Sequence, residues 1–339
     1  DKIASSKYLL QVLRLAALLH DVGHPPLSHT GEIFLPNYQG LLSQNKHIPE
    51  FLRVHLNKNK KVSHEIMSLL SIDEILRDVY QDNDVESFIN IASQDIAAIL
   101  VPEIYPIEDS ELSQLNLQKL FHELVSGEVD VDRMDYLLRD SKECGVAYGI
   151  FDSDRILDSL TYYLSPNDSC YHLAIKLSGL SAFEDYLRAR QSMYLQLYFH
   201  KTSIACEAML KYIARFIPKF YLPANLEKYM MTDDFQLVMS LQENIDHLDI
   251  NDVQKEKIST TLKDLFFDRN LWKCIYETSN LSSMISTQST TKNIEDKLSN
   301  QNKDYVSFTV SNNLFNSGEN FLRLVRKNEE QAYEVVALD

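Results

Sequence analysis

The sequence predicts a mainly α protein with a smaller C-terminal α+β subdomain, and three observations carry that prediction. Gly and Pro number only 8 and 9 in 339 residues, while helix-favouring Leu, Lys, Glu and Gln abound. Apolar positions recur at helical spacing through most of the chain up to residue 265. Two β-like runs, YVSFTV at 305–310 and AYEVVAL at 332–338, stand in the tail and are expected to pair as a small sheet. At this length the chain exceeds one typical domain, so one large core plus a subdomain is expected.

Residues 6–21 (SKYLLQVLRLAALLHD) are apolar on nearly every side apart from Gln11 and Arg14, which predicts a helix lying inside the protein. Gly23 and the Pro25-Pro26 pair stop it. Residues 33–62 read as a loop or short helices, and helices are expected at 63–80, 85–101 and 111–126. Asp130–Asp140 (DVDRMDYLLRD) follows, with Asp132, Asp135, Tyr136, Arg139 and Asp140 on one helical stripe and Val131, Met134, Leu137 and Leu138 on the other. Asp152 or Ser153 is placed to cap a helix over 154–163, and 170–176 alternates like a strand. Ser181 and Glu184 form a capping-box pattern for a long helix reaching Phe216, along which Arg190, Tyr194, Tyr198 and Lys201 share a face. Helical patterning resumes beyond Pro223 and runs to 265, and the Ser, Thr and Asn-rich stretch 278–303 reads as mobile.

A formal net charge of −16 argues against a general nucleic-acid or anionic-membrane surface, because phosphate-backbone binding needs clustered Lys and Arg. No apolar run is long enough to span a membrane. The four cysteines, Cys144, Cys170, Cys206 and Cys274, show no paired spacing, which fits a reduced cytoplasmic setting.

The chemistry concentrates in Leu18–Glu32, where His20, Asp21, His24, His29 and Glu32 fall within 13 residues after the apolar helix. His20 and Asp21 sit at the end of a rigid element, about 100° apart on the helix, so both can reach one ion between them. Imidazole nitrogen with carboxylate oxygen suits Mn²⁺, Fe²⁺, Zn²⁺ or Mg²⁺. Asp132 reads either as a third carboxylate for that ion or as an acid in a first helical turn behind an Asp130 cap. His24 and His29 are candidates to stabilise charge or move a proton in phosphoryl transfer, with Glu32 spaced to orient His29. His64 is equally readable as packed or functional. His47, His55, His122, His172, His200 and His247 lack such company and read as structural. Arg190 and Lys201 offer charge for phosphates and Tyr194 and Tyr198 offer aromatic faces, although aromatics at this spacing are more often core.

The segment HDVGHPPLSHTGE, followed in order by Val62–Glu65, Asp130–Asp140 with Gly145, and Tyr186–Lys201, resembles the HD-domain metal phosphohydrolases. More narrowly it is similar to the deoxynucleoside triphosphate triphosphohydrolases, bacterial and animal. The resemblance spans roughly residues 9–215. It implies an HD-domain helical core over 1–216 and a C-terminal subdomain over 217–339. It also implies a divalent metal on His20, Asp21 and Asp132, with His24, His29, Glu32 and His64 as the catalytic group around the phosphate. The substrate-binding set it implies is Arg133, Tyr136, Asp140, Arg190, Tyr194, Tyr198 and Lys201. Tyr194 stands where the animal enzyme has His. The family's first metal ligand is a histidine upstream of the His-Asp pair in an Arg-x-x-His setting, and residues 1–19 contain no His. The non-Met first residue Asp1 leads to the expectation that this ligand lies further upstream.

The implied reaction converts a dNTP to deoxynucleoside and inorganic triphosphate, in a homo-oligomer (dimer or tetramer) that can take a nucleotide activator. Two rival readings stand beside it: an HD phosphohydrolase acting on another nucleotide phosphate ester, and a non-catalytic nucleotide-binding regulatory subunit.

Overall fold

The computed structural model describes residues 2–59, 62–81, 91–102, 111–275, 296–297, 323–327 and 333–335. They are mainly α with a small sheet, as the sequence predicts. The chain forms two compact units, one of residues 1–195, 221–234 and 313–339, the other of 196–220 and 235–312. The chain passes between the units four times, at 195/196, 220/221, 234/235 and 312/313.

In the first unit, α1 (Lys2–Leu19) packs against α6 (Ser93–Leu100) and α8 (Gln118–Ser126). It does not lie inside the protein as its composition predicts. Leu9, Val12 and Ala16 form one buried stripe, while Leu10 and Leu18 are 46% and 75% exposed. Between α1 and α6 come α2 (Ser28–Gly31), α3 (Tyr38–Gln44), α4 (Glu50–Asn59) and α5 (His64–Gln81). The stretch expected as one helix over 111–126 is broken into α7 (Glu111–Gln114) and α8, with left-handed Asn116 between them. The first part of the helix expected at 85–101 lies outside the described residues.

α9 (Val131–Glu143) begins behind Asp130, whose side chain accepts from the Arg133 N–H. α10 (Ser153–Ser159) is capped by Asp152 and gives way to β1 (Leu160–Leu164), where helix was expected to continue. The hairpin explains the switch: β1 pairs antiparallel with β2 (Tyr171–Lys176), Leu160 opposite Ile175.

α11 (Leu180–Met193) starts after Gly179 without a side-chain cap, so the Ser181–Glu184 capping box does not form. It ends in a π turn over Tyr194–Tyr198, after which α12 (Lys201–Phe216) starts anew with His200 as its cap. The expected continuous helix is thus interrupted, and Arg190 and Tyr194 fall in the first unit while Tyr198 and Lys201 fall in the second.

α13 (Leu226–Met230) belongs to the first unit. The second contains α12, most of α14 (Asp234–Asp246) and α15 (Asp252–Lys263), with Tyr212 of α12 meeting Trp272 at 5.3 Å between ring centroids. The described strands of the tail join the hairpin. β3 (Arg323–Lys327) adds parallel to β2, and β4 (Tyr333–Val335) pairs antiparallel with β3, giving the order β1-β2-β3-β4. Residues 305–310 and most of 278–303 lie outside the described residues.

Candidate metal and phosphate site

The end of α1 is held in place by groups far away in sequence. The Gly23 N–H donates to Ser68 Oγ of α5 at 2.9 Å, and Tyr229 Oη of α13 donates to the Gly23 carbonyl at 2.7 Å. A Cβ on Gly23 would lie 2.0 Å from the Ser68 nitrogen, so this close approach requires glycine. Leu27 (φ 63°) and Ser28 (φ 51°) then adopt left-handed backbone, a strain of about 1–2 kcal/mol per residue, and so turn the chain into α2, which carries His29.

Two clusters result. In the first, His20, Asp21 and Asp132 place one ligand atom each within 4.8 Å of one another. His20 Nδ1 donates to the Ala17 carbonyl at 2.9 Å, which leaves Nε2 as the atom facing the carboxylates. Asp21 Oδ2 is 3.3 Å and Asp132 Oδ1 3.7 Å from Nε2, yet neither meets it in hydrogen-bond geometry, and Nε2 is buried without a partner. Asp132 first and Asp21 second push the His20 pKa up to about 10, against the lowering effect of burial. Burial raises the Asp21 carboxyl, but His20 and His24 outweigh it and hold the group well below the usual carboxylate range. Strong negative potential, an orphaned imidazole nitrogen and a mixed nitrogen and oxygen donor set fit a divalent cation.

In the second cluster, Glu32 Oε1 accepts from His29 Nδ1 at 2.7 Å and from His64 Nδ1 at 2.8 Å. His24 stacks on His64 with centroids 4.0 Å apart and meets His29 edge-on at 4.7 Å. Burial raises the Glu32 carboxyl, but the two imidazoles outweigh it and lower its pKa overall. The two clusters touch through Asp21, whose Oδ1 lies 3.4 Å from His24 Nε2.

A cavity of about 890 Å³ opens on both clusters. Arg133, Tyr136 and Tyr194 also line it, and the two tyrosine hydroxyls are 3.0 Å apart. Burial, with Tyr194 second, drives the Tyr136 hydroxyl well above the ordinary phenol range. Arg133 donates to the Gly127 carbonyl and pairs with Asp130 Oδ2 at 3.3 Å. Burial raises Asp130 to about 6, with Arg133 opposing.

Other expected substrate residues do not line this cavity. Arg190 is 4% exposed and bonds Glu128 Oε2 at 3.0 Å, because a guanidinium on the inner face of α11 needs a buried carboxylate. Asp140 lies beside Arg139 at 3.7 Å, and Tyr198 and Lys201 belong to the second unit. Conversely, His55 and His122 line the cavity although nothing in their local sequence marks them, and Glu65 of the Val62–Glu65 segment lines it as well.

The fold and the paired clusters define a helical protein organised on a His-Asp…Asp donor cluster beside a carboxylate-braced imidazole group. No family model matches the chain. It is 29% identical over 262 residues to an uncharacterized protein of Methanocaldococcus jannaschii, covering 76% of this chain and 46% of that protein. It is 27% identical over 227 residues to an HD domain-containing protein of Acanthamoeba polyphaga mimivirus, covering 63% and 39%. A solved phosphohydrolase from Bacteroides thetaiotaomicron superposes with a TM-score of 0.51 at 25% identity, over 85% of this chain and 64% of that one. The chain is thus similar to an HD domain-containing protein and to a solved phosphohydrolase. The chain spans less than half the length of the two curated relatives.

Proposed function

We propose that this site hydrolyses deoxynucleoside triphosphates to deoxynucleoside and inorganic triphosphate with the help of a divalent cation. The observation that carries the reading is one cavity bringing the His20–Asp21–Asp132 cluster, the His24–His29–His64 group and the Tyr136–Tyr194 pair together. His20, Asp21 and Asp132 would hold the ion, which when bound supplies Lewis-acid polarisation and water activation. Mn, Fe, Mg and Zn are all compatible with these donors.

The chain's own residues supply the rest. Glu32 fixes the Nδ1 atoms of His29 and His64, which leaves Nε2 of each for substrate, that of His64 lying 3.4 Å from Glu65 Oε1. Water forms the new bond to the α-phosphorus and releases one proton to solvent, the bond to the 5′ oxygen breaks, and protonated His29 gives that oxygen the proton on Nε2 and is reprotonated from solvent. His64 and His24 stabilise the phosphate charge. Tyr136 and Tyr194 offer aromatic faces and hydroxyls to the deoxyribose. A homo-oligomer and a nucleotide activator belong to the same reading through the sequence resemblance alone.

A second reading, hydrolysis of a smaller nucleotide phosphate ester, is favoured by one observation: the Arg190 guanidinium expected on the triphosphate is buried against Glu128. Incubation with Mn²⁺ or Mg²⁺ and each dNTP, with products resolved by ion exchange, separates the two. Triphosphate and deoxynucleoside are expected, and Asp21→Ala should abolish both metal retention and turnover. Orthophosphate from a monoester, with intact dNTPs, would replace the first reading by the second.

A further inference from the structure

A triphosphate brings several negative charges into a cavity already lined by Asp21, Glu65, Asp130 and Asp132. Among the described lining residues Arg133 is the sole permanently charged cation, and its guanidinium is engaged by Gly127 and Asp130. His20 faces the carboxylate cluster, and His24, His29 and His64 are tied to Asp21 and Glu32. Neutralisation of the phosphate chain therefore calls for a further donor in the wall.

His122 on α8 meets that need. Its Nδ1 donates to the Ile99 carbonyl of α6 at 2.7 Å, and Nε2 makes no hydrogen bond or ion pair among the described residues. The ring lines the cavity and its support is rigid. Gln118 Nε2 donates to the Ala98 carbonyl at 3.0 Å, and Glu123 joins α8 to β2 through His172 Nδ1 at 2.7 Å and the Leu173 N–H at 2.6 Å. An imidazole anchored at one nitrogen by a backbone carbonyl has its other nitrogen fixed in direction, and a nearby phosphate favours the form in which both nitrogens donate.

We propose that His122 is a substrate-binding residue whose Nε2 donates to an oxygen of the phosphate chain beyond the scissile bond. The inference rests on the reading that the cavity takes a nucleoside triphosphate. It assigns to α8 a phosphate contact that the buried Arg190 does not make in this structure.

The test is calorimetric binding of inorganic triphosphate to the Mn²⁺-loaded protein and to its His122→Ala and His122→Gln variants, with dNTP hydrolysis assayed in parallel. His122→Ala should weaken triphosphate by about 10-fold or more, the range of a lost charge-assisted hydrogen bond, and His122→Gln, which keeps an N–H donor, should recover most of the loss. Mn²⁺ affinity, Tm and deoxynucleoside affinity should stay at wild-type values in both. Unchanged triphosphate affinity in His122→Ala, or a loss confined to deoxynucleoside, overturns the assignment while dNTP hydrolysis by the wild type leaves the reaction standing. If the wild type binds triphosphate without cleaving dNTPs, loss in His122→Ala supports the contact although the reaction falls. Absence of triphosphate binding by the wild type overturns both.

Discussion

Replacing Glu32 by Gln removes one negative charge and leaves the shape of the side chain. In the native protein one carboxylate oxygen accepts from His29 at 2.7 Å and from His64 at 2.8 Å, so both imidazoles take their orientation from a single atom. A hydrogen bond to a charged acceptor contributes about 1.5–3 kcal/mol against about 1 for a neutral one, so two such bonds lose roughly 1–4 kcal/mol. The Glu32 side chain is 30% exposed, and solvent screening selects the lower half of that range. A loss of about 2 kcal/mol in holding the two rings corresponds to a fall in kcat of roughly 30-fold. Steady-state hydrolysis at saturating Mn²⁺ reads this directly. Glu32 belongs to the other donor group, with His24, His29 and His64, so Mn²⁺ held by the His20–Asp21–Asp132 cluster should keep its affinity by calorimetry. A kcat within about threefold of wild type, or a parallel loss of Mn²⁺ affinity, would refute the division between a cation cluster and a proton-handling cluster.

Two further outcomes follow from charges away from the His20–Asp21–Asp132 cluster. Arg190→Met leaves Glu128 buried and unpaired, which costs about 3–5 kcal/mol, and Glu128→Leu/Arg190→Met should regain most of the lost Tm; a single variant with native Tm and only a raised KM would return Arg190 to the substrate. His172 is held above its ordinary pKa by Glu123 and, against burial, by Asp168, so its contribution is fully present below about pH 6.5 and is lost as pH rises through the folded value. Asp168 is held low, by Lys119 above all, and its contribution is present above about pH 3.9 and lost as pH falls through the folded value. Melting curves of wild type and His172→Gln should therefore differ most between about pH 4 and 6.5 and converge toward pH 9; a gap constant over that range would sink the linkage.

The sequence by itself determined the local parts of this protein. The helical class, the stop after α1, the Asp130 cap, the β2 strand and the grouping of His20, Asp21, His24, His29 and Glu32 all follow from residues within one or two turns of each other. Periodicity, capping and turn chemistry act over that range and leave a readable trace. Longer-range features left none. Whether α1 is buried depends on what packs against each face, and among its described side chains only Leu9, Val12 and Ala16 are buried. The break after Met193, which separates Arg190 and Tyr194 from Tyr198 and Lys201, overrides an unbroken helical pattern. Strand β3 joins β2 across some 150 residues, at Ala174 opposite Arg323, with no signal in either segment naming the other.

The same holds for the site. Gly23 reads as a helix stop, yet the reason no other residue fits is the Ser68 backbone of α5, and the bond from Tyr229 completes the turn. Nothing near Arg190 in the sequence announces its buried pairing with Glu128, and nothing near His122 announces that α6 and α8 bring it to the cavity wall. The sequence determined which chemical groups are available to this protein. Only the tertiary structure decided which of them face the same cavity, because burial and partner choice depend on residues scores of positions apart.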